Sequence, residues 1–167
     1  MSHFYCREQE LKKLNARYED ADFECAIIYG RRRVGKTALI NEFCKGKPTI
    51  FYSALNTTEK ENLESLSKAI MSYEHPEMES APVFRDYDAA LAEITALAQK
   101  QRLIFVIDEY PYLAKAKPAM SAMLQHLIDH RWSDTKLFLV LCGSSMSFME
   151  HQVLGQESPL YRRRTSQ

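Results

Sequence analysis

The segment Gly30-Arg-Arg-Arg-Val-Gly35-Lys36-Thr37 limits what this chain can fold into more than any other. It matches G-x-x-x-x-G-K-[ST] at every fixed position, and its flanks fit the motif. Before it runs Cys25-Ala-Ile-Ile-Tyr29, a short apolar stretch that reads as a buried strand. After it, Ala38, Leu39 and Phe43 mark a helix that Lys45-Gly-Lys-Pro48 stops. Glycine lets the backbone turn tightly there and aim N–H groups at phosphate oxygens. The following helix presents its positive end to the same anion. The spacing therefore predicts a phosphate cradle formed by Gly30, Arg31, Arg32, Arg33, Val34, Gly35, Lys36, Thr37 and Ala38. In it the Lys36 ammonium reaches the β and γ phosphates and the Thr37 hydroxyl ligates Mg²⁺. The side chains of Arg31, Arg32 and Arg33 have three readings: added positive field, a partner contact, or solvation.

Around this segment strand-like and helical patterns alternate. A first helix is expected over Arg7 to Tyr18, with Leu11, Leu14 and Tyr18 on one face, and a second strand over Thr49 to Tyr52. Thr58-x-x-Glu61 reads as a capping box before a stripe at Leu63, Leu66, Ile70 and Tyr73. An acidic loop, Glu74 to Ala81, separates this helix from one running from Tyr87 to Gln101. Leu103 to Ile107 is apolar throughout, as expected of a strand buried on both faces. Pro118 is expected to open another helix, with a core face at Met120, Met123, Leu124, Leu127 and Ile128. Leu137 to Cys142 is the fourth strand. This order predicts a three-layer α/β domain whose mainly parallel sheet is covered by helices on both sides.

The third strand runs straight into Asp108-Glu109. At the carboxyl end of a buried strand, Asp108 is expected to support the metal, and Glu109 to orient or deprotonate the water attacking the γ-phosphate. The adjacent glutamate favours transfer to water over transfer to a small-molecule acceptor. The fourth strand leads to Gly143-Ser144-Ser145, where Ser144 is placed to sense the γ-phosphate or to cap a short helix. Arg162, Arg163 and Arg164 offer an arginine for transition-state charge, or a basic tail. Tyr110 and Tyr112 around Pro111 are expected to pack a turn under the acid pair, and Phe4, Tyr5 and Arg7 to cover an adenine base. His126 and His130 share a helix face without a third ligand and read as surface residues.

Composition narrows the remaining classes. Lys plus Arg and Asp plus Glu number 22 each, so a surface that coats nucleic acid throughout is disfavoured. The balance hides a basic start, an acidic middle over residues 49–100 and a basic end. No apolar run approaches a membrane span. Four cysteines without C-x-x-C spacing fit a reduced, cytoplasmic protein without structural zinc.

The chain resembles the archaeal-type ATPase family of AAA+-like phosphate-loop proteins. The resemblance rests on Phe4-Tyr-Cys-Arg7-Glu-x-Glu10-Leu11, Tyr29 to Thr37, Ile107-Asp-Glu-Tyr-Pro-Tyr-Leu113, Leu141-Cys-Gly-Ser-Ser145 and Ser158-Pro-Leu-Tyr-x-Arg-Arg-Thr165. It implies a sheet in spatial order 5-1-4-3-2, ATP and Mg²⁺ binding, and hydrolysis coupled to conformational change. It also implies a fifth strand and helical lid beyond this chain; what ATP drives through such domains stays open among nucleic-acid handling, with nucleic acid as partner, defence and transcriptional control. Arg163 matches the family's conserved arginine, although Arg162 and Ser166 stand where the family usually has glycine. Without a fifth strand, the phosphate-loop strand is expected to leave an open sheet edge for self-association. A rival expectation is a nucleotide-binding interaction module without turnover.

Overall fold

The computed structural model describes residues 8–29, 35–80 and 82–143. In chain order these form α1 (Glu8–Glu19), β1 (Glu24–Tyr29), α2 (Lys36–Cys44), β2 (Thr49–Ser53), α3 (Glu59–Glu74) and α4 (Tyr87–Lys100). Next come β3 (Leu103–Asp108), α5 (Tyr110–Ala116), α6 (Met120–His130), a 3₁₀ turn at Trp132–Asp134, and β4 (Leu137–Gly143).

The strands pair in parallel in the order β1-β4-β3-β2. This is the 1-4-3-2 portion of the expected order. Alternation along each strand divides the core into two layers. Cys25, Ile27, Leu103, Phe105, Ile107, Leu137, Leu139 and Leu141 face α3, α4, α5 and α6. Ala26, Ile28, Ile104, Val106, Phe138, Val140 and Cys142 face α1 and α2. Strands β3 and β4 are thus wrapped on both sides, which is why their sequences are unbroken apolar runs. On β2, by contrast, Ile50 and Tyr52 are buried while Phe51 and Ser53, on the opposite face, are exposed.

Several local expectations change. The Thr58 hydroxyl accepts the Glu61 N–H at 3.1 Å, as a capping box requires. Its reciprocal arm differs, because the Glu61 carboxylate accepts from the Thr57 hydroxyl instead of from the Thr58 backbone. Residues 110–116 form a helix where a packed turn was expected, with proline in its first turn, where the missing N–H costs nothing. Pro118 lies in a turn, closed by Met120 N–H to Lys117 C=O at 2.9 Å, and α6 starts two residues later than anticipated. The His126 and His130 rings meet tilted by 43°, with centroids 4.4 Å apart, on exposed positions of α6.

Candidate nucleotide site

Gly35 sits immediately before α2 with φ 81° and ψ 13°, a left-handed conformation that glycine adopts without a Cβ penalty. The first turn of α2 carries no acidic residue, and Gly35 offers no side-chain cap to its N–H groups. Thr37 and Ala38 are exposed, whereas Lys36 points inward and is 7% exposed. Leu39, Ile40 and Phe43 on the same helix are buried in the α1/α2 layer and fix its position against the sheet.

The carboxylates enter from β3. The strand is buried through Ile107, and Asp108 and Glu109 emerge half-buried at its carboxyl end. Glu109 has φ 55° and ψ 44°, a left-handed backbone that is uncommon for a residue with a Cβ. Its N–H donates to Asp108 Oδ1 at 2.9 Å, closing the kink. Beyond it, Tyr110 is buried and its hydroxyl lies 2.6 Å from Ser121 Oγ on α6, which anchors the start of α5. The strained residue is therefore held from both sides. Ala54 N–H donates to Asp108 C=O at 2.9 Å and brings the end of β2 alongside.

Lys36 Nζ lies 3.6 Å from Glu109 Oε1. Among the described residues this buried ammonium has no hydrogen-bond partner. Burial raises the Asp108 carboxyl above its usual range, opposed by the Lys36 charge and the Glu109 N–H. Cys142 is fully buried on the neighbouring strand, and burial, reinforced by Asp108, pushes its thiol well up. It is therefore a neutral packing residue rather than a nucleophile.

The structure thus brings Lys36, Thr37, Asp108 and Glu109 to the carboxyl end of the sheet, with Gly35 and Ala38 beside them. Gly30, Arg31, Arg32, Arg33, Val34, Ser144, Ser145, Arg162, Arg163 and Arg164 lie outside the described residues, as do Phe4, Tyr5 and Arg7. Sequence reasoning overlooked Asn62. Its Oδ1 accepts from Leu55 N–H at 2.9 Å and from the Tyr52 hydroxyl at 2.7 Å, and its Nδ2 donates to Leu55 C=O at 3.0 Å. It shapes the segment leaving β2, next to Asp108. The available signal was a polar residue one turn before Leu66 on the core stripe of α3.

A parallel 1-4-3-2 sheet with a glycine-led helix after β1 and paired acids after β3 defines a phosphate-loop ATPase fold. Residues 4–166 match the model of the family described as "ATPase domain predominantly from Archaea", and the chain belongs to that family. An uncharacterised protein of Methanocaldococcus jannaschii is 36% identical over 162 residues, covering 97% of this chain and 34% of that protein. Among solved structures, a Walker-type ATPase of Pyrococcus abyssi superposes with TM-score 0.67 at 20% identity, over 93% of this chain and 50% of that one. The Orc1 protein of Aeropyrum pernix in complex with DNA gives 0.66 at 18% identity, over 95% and 43%. This chain therefore spans about a third of the Methanocaldococcus relative's length and half of the Pyrococcus chain.

Proposed function

We propose that this chain is the catalytic core of an ATPase that hydrolyses ATP to ADP and phosphate with Mg²⁺. The observation that carries the proposal is the buried Lys36 ammonium, without a hydrogen-bond partner among the described residues and 3.6 Å from the Glu109 carboxylate. A buried cation in that condition is costly unless an anion completes its shell, and a phosphate supplies one.

In this reading Lys36 and the N–H groups at the start of α2 hold the β and γ phosphates. The Thr37 hydroxyl and the Asp108 carboxylate are the oxygen donors suited to Mg²⁺. Phosphate and water oxygens would complete the ion's coordination. When bound, the ion neutralises charge developing on the phosphate oxygens. Glu109 accepts a proton from water as the water oxygen bonds to the γ-phosphorus, and the bond to the β–γ bridging oxygen breaks with its electrons leaving on ADP. The same ammonium lies 3.6 Å from Glu109, so a phosphate that draws it off would loosen its hold on the base. Ser144 as γ-phosphate sensor, Arg163 as transition-state arginine and the remaining cradle residues Gly30 to Val34 complete the proposed site.

The output driven by ATP belongs to the longer proteins of the family. The proposal includes a nucleic-acid partner engaged through domains outside this chain, supported by the DNA-bound Aeropyrum neighbour. No described helix is long and apolar enough to cross a membrane, and a cytoplasmic setting is part of the proposal. Phosphate release from the purified chain is the test. Glu109→Gln should bind ATP but lose turnover, and Lys36→Ala should lose binding. Turnover that survives Glu109→Gln removes the base assignment. Binding without any Glu109-dependent turnover points to the interaction module instead.

A further inference from the structure

Glu109 holds a backbone conformation that a residue with a Cβ does not favour. Among the described residues other than glycine, only Glu109 and Ala21 have positive φ, and Ala21 is exposed between α1 and β1. At a half-buried position such a conformation persists only where the surroundings over-determine it. Three contacts do so. The Glu109 N–H donates to Asp108 Oδ1 at 2.9 Å, and its C=O accepts from Tyr112 N–H at 3.0 Å. Both partners belong to the same short stretch of chain and could turn together with the kink. The third contact leaves that stretch. Tyr110 is fully buried, and its hydroxyl lies 2.6 Å from Ser121 Oγ. Ser121 is itself buried on α6, which Met120, Leu124 and Ile128 pack into the same core layer as Tyr110. Each hydroxyl is shielded from water and finds its partner in the other.

We propose that Tyr110 and Ser121 are positioning residues, whose hydrogen bond locks Glu109 in the left-handed conformation that sets its carboxylate beside Lys36. Resting on the reading of Glu109 as the base, this adds α6 to the parts that serve the reaction. Tyr110 follows Glu109 directly, so the seat of its ring and hydroxyl fixes the peptide plane between the two residues. On the other side Asp108 is held by the buried strand β3. With both neighbours fixed, φ and ψ of Glu109 have little room. A phenylalanine at position 110 keeps the ring but loses the one polar tie to α6, so the ring can shift in its socket. Glu109 could then relax toward negative φ, which swings its Cβ around the chain and carries the carboxylate away from Lys36, 3.6 Å distant as the residue stands. Tyr110 and Ser121 are both buried and cannot touch ATP. Their loss should therefore fall on the chemical step and leave binding alone.

The test uses the whole chain and two variants, Tyr110→Phe and Ser121→Ala. Phosphate release should show kcat lowered about fivefold in each, the equivalent of one net hydrogen bond, with KM for ATP within about twofold of the wild type. The double variant should be no slower than either single one, because both substitutions remove the same bond. An unchanged kcat in both variants, or a loss carried by KM instead, overturns the proposal. Amide hydrogen exchange followed by NMR supplies a second readout that needs no turnover. The Glu109 N–H should exchange about fivefold faster in Tyr110→Phe, while the amides of Val106 in β3 and Leu124 in α6 keep their wild-type rates. An unchanged rate at Glu109, or an acceleration spread evenly over β3 and α6, overturns the proposal as well. If the wild type shows no Glu109-dependent turnover, the base reading is lost, and the exchange rates alone decide whether the clamp exists. Ser121→Ala carries both measurements if Tyr110→Phe proves misfolded by circular dichroism.

Discussion

Arg102 joins three segments that are far apart in sequence. Its Nε donates to Tyr18 C=O at 3.0 Å and one terminal nitrogen to Arg17 C=O at 3.0 Å, satisfying carbonyls at the end of α1. The other donates to Lys136 C=O at 2.9 Å, just before β4, and to Asp22 C=O. The guanidinium also lies over the Tyr18 and Phe138 rings, at 5.2 and 5.4 Å from their centroids. A lysine keeps the charge but not the planar fork of donors. Arg102→Lys should therefore cost about 2 kcal/mol. A lower urea midpoint with an unchanged slope would show it, and a loss near zero would mean that the carbonyls are solvated without it. No sequence pattern marks this residue, because the carbonyls it serves belong to backbone brought together only by the sheet. The proposed phosphate cradle is the opposite case. Gly35, Lys36 and Thr37 are adjacent, and the chemistry that requires them acts within one turn. The Lys36–Glu109 contact lies between these cases: each partner was legible from its own motif, whereas their 3.6 Å approach depends on the parallel register of β1, β4 and β3.

At the scale of elements, legibility followed burial. Strands β1, β3 and β4 were plain because covering helices demand apolar residues at every position. The helix over residues 110–116 was not, since Tyr-Pro-Tyr looks like a turn until a buried Tyr110 and its Ser121 partner hold it against α6. Helices α3 and α4 meet with a less favourable pair. Glu74, near the end of α3, is pushed from its ordinary 4.5 to about 6 by partial burial, by a shared hydrogen bond with Glu93 of α4, and by that residue's charge. A carboxyl whose folded value is raised binds more protons in the native than in the unfolded chain between pH 4.5 and 6. Stability should consequently fall as pH rises through that window and level off above it. Glu74 is only partly buried, so the effect is modest and screened by salt. Melting temperatures measured between pH 4.5 and 7 should decline less for Glu74→Gln than for the wild type. An identical decline would show that the two helices splay enough to hydrate both acids.

For the whole molecule, the sheet order accounts for both the site and its cost. Placing β4 between β1 and β3 brings the glycine-led helix and the acid pair to one end, where Lys36 is buried. The fold accordingly holds an ammonium 7% exposed beside a carboxylate 24% exposed, at a separation too long for a hydrogen bond. A pair in that geometry recovers only part of its desolvation cost. Lys36→Met keeps the apolar stem and removes the charge, while Glu109 is exposed enough to hydrate when released. The variant should be more stable than the wild type without nucleotide, by about 1 kcal/mol. With Mg²⁺ and ATP at a hundredfold excess over Kd, the wild type should gain about 2.7 kcal/mol and the variant almost nothing, reversing their order. Urea unfolding with and without nucleotide measures both differences in one series. If Lys36→Met is the less stable protein without ATP, the Lys36–Glu109 pair is a net stabilising contact. The competition that frees Glu109 would then have to overcome that contact as well as fill the cradle.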